Sequence, residues 1–252
     1  MGAPTRTRVR AHLPKVLPLA ILSIKTSGER PRELGRSVAR IDLRFLEVAA
    51  ELWSLQELIE ILDRNLPTMI AGEKKEVWEG VDMEDEQAMV VATASEQALD
   101  SGITTRFLPA SALVALWALY ETSIIRFAGY LREKRGLALT PSDLRGGSFQ
   151  RITKYYADVL RVPLHPPGTD WSRLEALEAL RHACAHANAC LDYVPEADRR
   201  KLETIVAKYS GVALESGYIV ITTEFLKRAY AFVSELLNEL NERVRKEISD
   251  VS

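Results

Sequence analysis

Hydrophobic positions recur along most of this chain at three- and four-residue steps. Between Leu34 and Asn65 they fall at Val38, Ile41, Phe45, Val48, Leu52, Leu55, Leu58, Ile59 and Leu62. That spacing lays one apolar stripe along a helix. Asn65-Leu66-Pro67 is expected to end it, because proline lacks the backbone donor and clashes with the preceding turn. A wider stripe runs from Pro109 to Lys134 through Leu113, Leu116, Trp117, Tyr120, Ile124, Phe127, Tyr130 and Leu131. Gly136 suits its C-terminus. A third long stripe carries Phe225, Leu226, Tyr230, Phe232, Val233, Leu236, Leu237 and Leu240, with Thr223 as its expected N-cap. Arg243, Arg245 and Lys246 complement its negative end.

Shorter elements fill the intervals. Ala88 to Leu99 reads as a helix that Asp100-Ser101-Gly102 should break. Thr140-Pro141-Ser142-Asp143 opens an element carried to about Arg161 by Phe149, Ile152, Tyr155, Tyr156, Val159 and Leu160. His165-Pro166-Pro167-Gly168-Thr169 is a loop. Asp170 or Ser172 can then cap a helix from about Trp171 to Leu191. Pro195 starts another, to about Tyr209. Val212-Ala213-Leu214 and Tyr218-Ile219-Val220-Ile221, joined by Glu215-Ser216-Gly217, read as a hairpin. The pattern predicts an all-α antiparallel bundle with a short β-hairpin before the last helix.

Three regions are expected. Residues 1–33 form a basic arm with Pro4, Pro14, Pro18 and Pro31, where a long helix is unfavourable. Residues 34–87 hold the first helix and an acidic stretch from Glu73 to Glu86, a solvated linker or helix surface, with membership of the bundle left open. Residues 88–248 form the main helical domain.

Composition changes this picture little. The chain has 252 residues, 47% of them hydrophobic, enough for a core. Its net charge of −2 excludes a general nucleic-acid coat protein but leaves room for a local basic cleft. Arg6, Arg8, Arg10 and Lys15 precede the apolar run Val16 to Leu22, which loosely resembles a signal peptide. Pro18 interrupts that run and no small-x-small cleavage site follows, so an extended arm or edge strand is the expectation. No uninterrupted apolar run has the length of a membrane span. Cys184 and Cys190, six helical residues or about 9 Å apart, are too distant for a disulfide. Free thiols imply a reducing compartment, so a cytoplasmic location is expected.

The candidate chemistry lies in Arg181-His182-Ala183-Cys184-Ala185-His186. Arginine grips phosphate and histidine moves protons near neutral pH. Arg181 and His186 are offset by about 140° around the helix and about 7.5 Å along it, a spacing that long side chains can bridge. His182 and His186 share a face, and Glu178 and Cys190 extend the same ladder.

This stretch resembles the Arg-x4-6-His motif of the HEPN superfamily (higher eukaryotes and prokaryotes nucleotide-binding domain). His182 stands where that family has a polar residue after the arginine. The small-residue helix from Leu174 to Ala189, with Asn188 after the histidine, is similar too. So is the preceding aromatic-rich helix ALVALWALYETSIIRFAGYLREKRG, whose Glu121 falls where many members carry an acidic or polar residue. The resemblance covers about Ala88 to Lys246. It implies a HEPN-like bundle and a metal-independent endoribonuclease without cofactors, often a toxin or defence protein. RNA would be its substrate. A homodimer would form through the motif helices, and an antitoxin protein is a candidate further partner. His186 would take the proton of a ribose 2′-hydroxyl and Arg181 would hold the scissile phosphate. His182 would assist, with Glu121 and Asn188 in supporting roles.

Three other readings stand beside it. Arg181 can pair with Glu178 or Glu121 in a purely structural helix, and Glu121 can equally pair with Arg126. His182 and His186, with Glu178, make half a zinc site that lacks a fourth ligand. A non-catalytic RNA- or nucleotide-binding or protein-interaction module would use the same fold, with the basic arm touching phosphates in the RNA-binding case.

Overall fold

A computed structural model describes residues 43–249; the basic arm, with its arm-or-strand expectation, and the expected first turns of the helix from Leu34, with Val38 and Ile41, lie outside them. The described residues hold seven α-helices, one two-stranded antiparallel sheet and short π-helical and 3₁₀ segments between them. Helices α1 (Leu43–Trp78), α2 (Glu86–Gln97) and α3 (Leu108–Arg135) come first, followed by the short α4 (Ser148–Lys154). Then come α5 (Trp171–Ala187), α6 (Glu196–Lys208), strands β1 (Val212–Glu215) and β2 (Tyr218–Ile221), and α7 (Thr223–Ser249). The chain is mostly helical with one hairpin, as the periodicity predicts.

The helix with the widest apolar stripe takes the centre. α3 packs against α1, α5 and α7, burying Leu113, Leu116, Trp117, Tyr120, Ile124 and Phe127. It also lies in a continuous helical rod, Glu86–Arg135, apolar enough over one window to cross a membrane by length and composition. In the fold 44% of that window is buried. Gly136 takes the left-handed conformation at φ 63° and closes the helix.

Two expected breaks do not occur. α1 runs through Pro67 to Trp78, taking up the first part of the acidic segment as helix surface rather than linker. The reason is that Leu62, Leu66 and Ile70 continue the buried face across the proline. Helical stability comes mostly from packing an apolar face, and that outweighs a local proline penalty. α1 packs on α3 and α7, so this region belongs to the bundle. Asp100-Ser101-Gly102 likewise fails to stop the helix. Ala98–Phe107 continues as a π-helix between α2 and α3. Thr104 Oγ1 donates to Leu99 O at 3.1 Å there, and Lys74 from α1 reaches Asp100 at 2.5 Å.

Other boundaries shift. The element after Thr140 splits into a 3₁₀ turn, Pro141–Asp143, then α4 and a π-helical turn, Tyr155–Leu160. Arg161 then reverses the chain at φ 53°. α5 stops at Ala187 because Asn188 and Ala189 both take positive φ, 51° and 61°. Thr222, not Thr223, caps α7: its Oγ1 accepts from Phe225 N at 3.3 Å. Thr223 instead donates to Asp63 on α1 at 2.5 Å. The hairpin pairs Val212 with Ile221 and Glu215 with Tyr218. Ser216 and Gly217 both have positive φ, as a tight primed turn requires. The end of α5 attaches to this hairpin through Leu191 N to Gly217 O, 2.9 Å, and Ile219 N to Ala189 O, 2.8 Å.

Candidate functional site

α5 is built to present one polar edge. Asp170 caps its N-terminus by accepting from Arg173 N at 3.1 Å. Leu174, Leu177 and Leu180 are buried, as are Ala176, Ala183 and Ala187. The small side chains on this face let α3 approach closely. Opposite them Glu175, His182, Ala185 and His186 are exposed.

Arg181 sits at the seam between α5 and α3. Its Nη2 donates to Glu121 Oε2 at 3.1 Å, and both side chains are about four-fifths buried, at 23% and 20% exposure. The guanidinium carbon lies 6.0 Å from the Trp117 ring centroid, at the outer limit of a cation–π contact. Its Nε is buried without a hydrogen-bond partner. Glu121 therefore meets Arg181 rather than a histidine, and Arg126 is taken by Glu51 on α1 at 2.8 Å.

The two imidazoles lie farther round the helix, at its exposed edge. The rings of His182 and His186 are 4.5 Å apart between centroids and tilted by 54°. In one chain Arg181 is engaged by Glu121 on α3 while His186 is exposed beside His182, so the bridging of the 140° offset that the spacing allows is not seen among the described contacts. Glu178 is half-buried beside Arg181. Burial raises its carboxyl pKa, while Lys201 and Arg181 pull it back. Asn188 is the left-handed residue that closes α5, which gives it a structural duty. Among the described residues no group of three or more His, Cys, Asp or Glu side chains could hold a metal ion. The zinc reading thus stays at a histidine pair. Cys184 and Cys190 are both free and buried; Cys190 lies beyond the end of α5, where its backbone pairs with that of Tyr218 as an isolated antiparallel β-bridge. Burial pushes the Cys184 thiol up to about 12.

Two features were not legible in the sequence. His165, assigned only to a loop, is 7% exposed and tucked under the bundle. Tyr120 Oη and His165 Nε2 are 2.5 Å apart, and the Trp171 ring meets the imidazole edge-on at 4.5 Å between centroids. Burial first, and the nearby Arg243 charge second, lower the His165 pKa to about 4. The other feature is a groove between α5 and α6 with His182 and Glu178 on one wall and Asp198 and Lys201 on the other. Glu178 was visible on the His182 ladder, but α6 carried no signal of where it would dock. No protein-family model matches the chain, and neither the curated proteins nor the solved structures compared with it give a match.

Proposed function

We propose that this protein is a metal-independent endoribonuclease of the HEPN type, acting as a homodimer. The observation that carries the reading is the make-up of α5. One short helix exposes two adjacent imidazoles and holds a guanidinium at its seam with the aromatic helix α3. His186 takes the proton from a ribose 2′-hydroxyl. The 2′-oxygen attacks phosphorus, the P–O5′ bond breaks, and the 5′-oxygen leaves with a proton from solvent. The products are a 2′,3′-cyclic phosphate and a free 5′-hydroxyl. Arg181 faces the phosphate oxygens as negative charge builds on them, with Glu121 fixing its orientation. His182 lies against His186 and assists in orienting the phosphate. A second α5 brought against the first supplies groups that one chain turns away from its own His186. DNA lacks the attacking hydroxyl and resists cleavage.

Structured RNA incubated with the protein in EDTA tests this. Cleavage that survives chelation, yields cyclic phosphate ends and disappears in His186→Ala supports the reading. Intact RNA with a folded dimer refutes it.

A second reading has its own observation. The Arg181–Glu121 ion pair already engages one edge of the guanidinium, as a structural link between α3 and α5 would. RNA binding without cleavage, unchanged in His186→Ala, would favour a binding module.

A further inference from the structure

The groove between α5 and α6 is the cavity adjoining the histidine pair. It holds about 230 Å³, smaller than a typical cofactor site and suited to a single flat ring. Ala183 and Leu202 contribute to an apolar floor, while Glu178, His182, Asp198 and Lys201 form the polar rim. His182 belongs to this rim and to the pair with His186, so whatever fills the groove lies beside the reacting groups.

The rim is chemically unfinished. Among the described residues the side chains of Glu178, Asp198 and Lys201 make no hydrogen bond and no ion pair within 4.0 Å, although charges of both signs converge there. Nearby, Arg181 is paired with Glu121 and Arg200 with Glu196, and Lys201 acts on Glu178 as a neighbouring charge without a hydrogen bond to it. Glu178 is half-buried, and burial is the main influence disfavouring its charged form. A half-buried carboxylate without a donor is an unmet acceptor, and a ligand that brings N–H groups relieves it.

We infer that this groove is a base-recognition subsite that takes guanine, next to the scissile phosphate. The inference rests on the nuclease reading of the neighbouring histidines for its place in a reaction. Among the four RNA bases guanine alone presents two adjacent N–H donors, N1–H and N2–H₂, on its Watson–Crick edge. A carboxylate accepts such a pair in a bidentate manner. Glu178 is the acceptor, the apolar floor covers the ring face, and Lys201 faces the sugar–phosphate of the same nucleotide. Adenine and cytosine offer a single exocyclic amine, and uracil a single imino N–H, so each leaves one carboxylate oxygen unmet.

Two measurements test this together. The first maps cleavage in a randomised single-stranded RNA, using the intact protein in EDTA. Guanine is expected at one fixed position from the cut, favoured about tenfold over adenine. Replacing that guanine by inosine, which lacks the N2 amine, should remove most of the preference. Glu178→Gln should bring the guanine-to-adenine ratio to within about twofold. The second measures binding of guanosine 5′-monophosphate against the adenosine, cytidine and uridine monophosphates by calorimetry. It uses the wild type, Glu178→Gln and the exposed-site variant Asp198→Asn. Guanosine-selective binding that depends on Glu178 supports the subsite even if no RNA is cut, in which case only the nuclease reading falls. Cleavage without base preference, together with equal binding of the four nucleotides, overturns the subsite and leaves the nuclease reading standing. Neither cleavage nor selective binding overturns both.

Discussion

Lowering the pH from about 6.5 toward 4 should weaken the fold through His165. The imidazole is 7% exposed, its Nε2 lies against the Tyr120 hydroxyl, and Trp171 covers its edge. Tyr120 is held in its neutral form by burial, with Glu121 and Glu178 adding to the effect. The neutral hydroxyl and Nε2 share one hydrogen bond, and Nδ1 is buried without a partner. A second proton on the ring would bury a charge near Arg243. The pKa of about 4 in the fold compares with about 6.5 in an unfolded chain. The unfolded state thus binds more protons between those values, and stability falls as pH drops through that window. The stabilisation is complete above pH 6.5 and lost progressively toward pH 4. At pH 5 the loss is about 2 kcal/mol relative to neutral pH, from about 1.4 kcal/mol for each tenfold difference in proton affinity. For a domain of this size that is about 4–8 °C in Tm. Urea unfolding of wild type and His165→Gln at pH 7 and pH 5 measures it, with circular dichroism as the probe. The variant is less stable at pH 7 but should lose about 2 kcal/mol less on acidification. Equal losses in the two proteins would refute the argument, because the proton uptake would then lie elsewhere.

Other outcomes follow from the site and its supports. Glu121→Gln should cost about 1–3 kcal/mol by leaving the Arg181 charge half-compensated in a mostly buried seam. A double-mutant cycle with Arg181→Met should recover at least about 0.5 kcal/mol of coupling; additive losses would remove the pair as a stabilising contact. Asn188→Gly should fold with little loss, whereas Asn188→Ala should cost about 1 kcal/mol for a left-handed residue, read from urea midpoints. If both variants instead lose RNA cleavage at full stability, Asn188 is more than a cap. The Cys184 thiol, pushed up to about 12 and buried, should resist a thiol reagent at pH 8 in the native protein and react on unfolding in urea. Fast native labelling of Cys184, located by peptide mass, would contradict its burial.

The long helices were legible because an apolar stripe over many turns is a strong signal. Leu113 to Leu131 on α3 and Phe225 to Leu240 on α7 marked the two helices that form much of the core. The hairpin was legible from β-branched runs around Ser216-Gly217, the residues that tolerate its positive φ angles. Arg181, His182 and His186 could be placed on one helix, with their angular separation, from the 3.6-residue repeat alone. Helix ends fared worse. Local signals at Pro67 and Asp100-Ser101-Gly102 argued for breaks, and packing overruled them, because the buried face continues through both segments or joins them to neighbours. Partners across the fold were undetermined. The sequence left Arg181 between Glu178 and Glu121, and only the approach of α3 to α5 decided for Glu121. The burial of His165 and the docking of α6 opposite Glu178 belong to the same class. They depend on contacts between residues distant along the chain, which no local periodicity encodes.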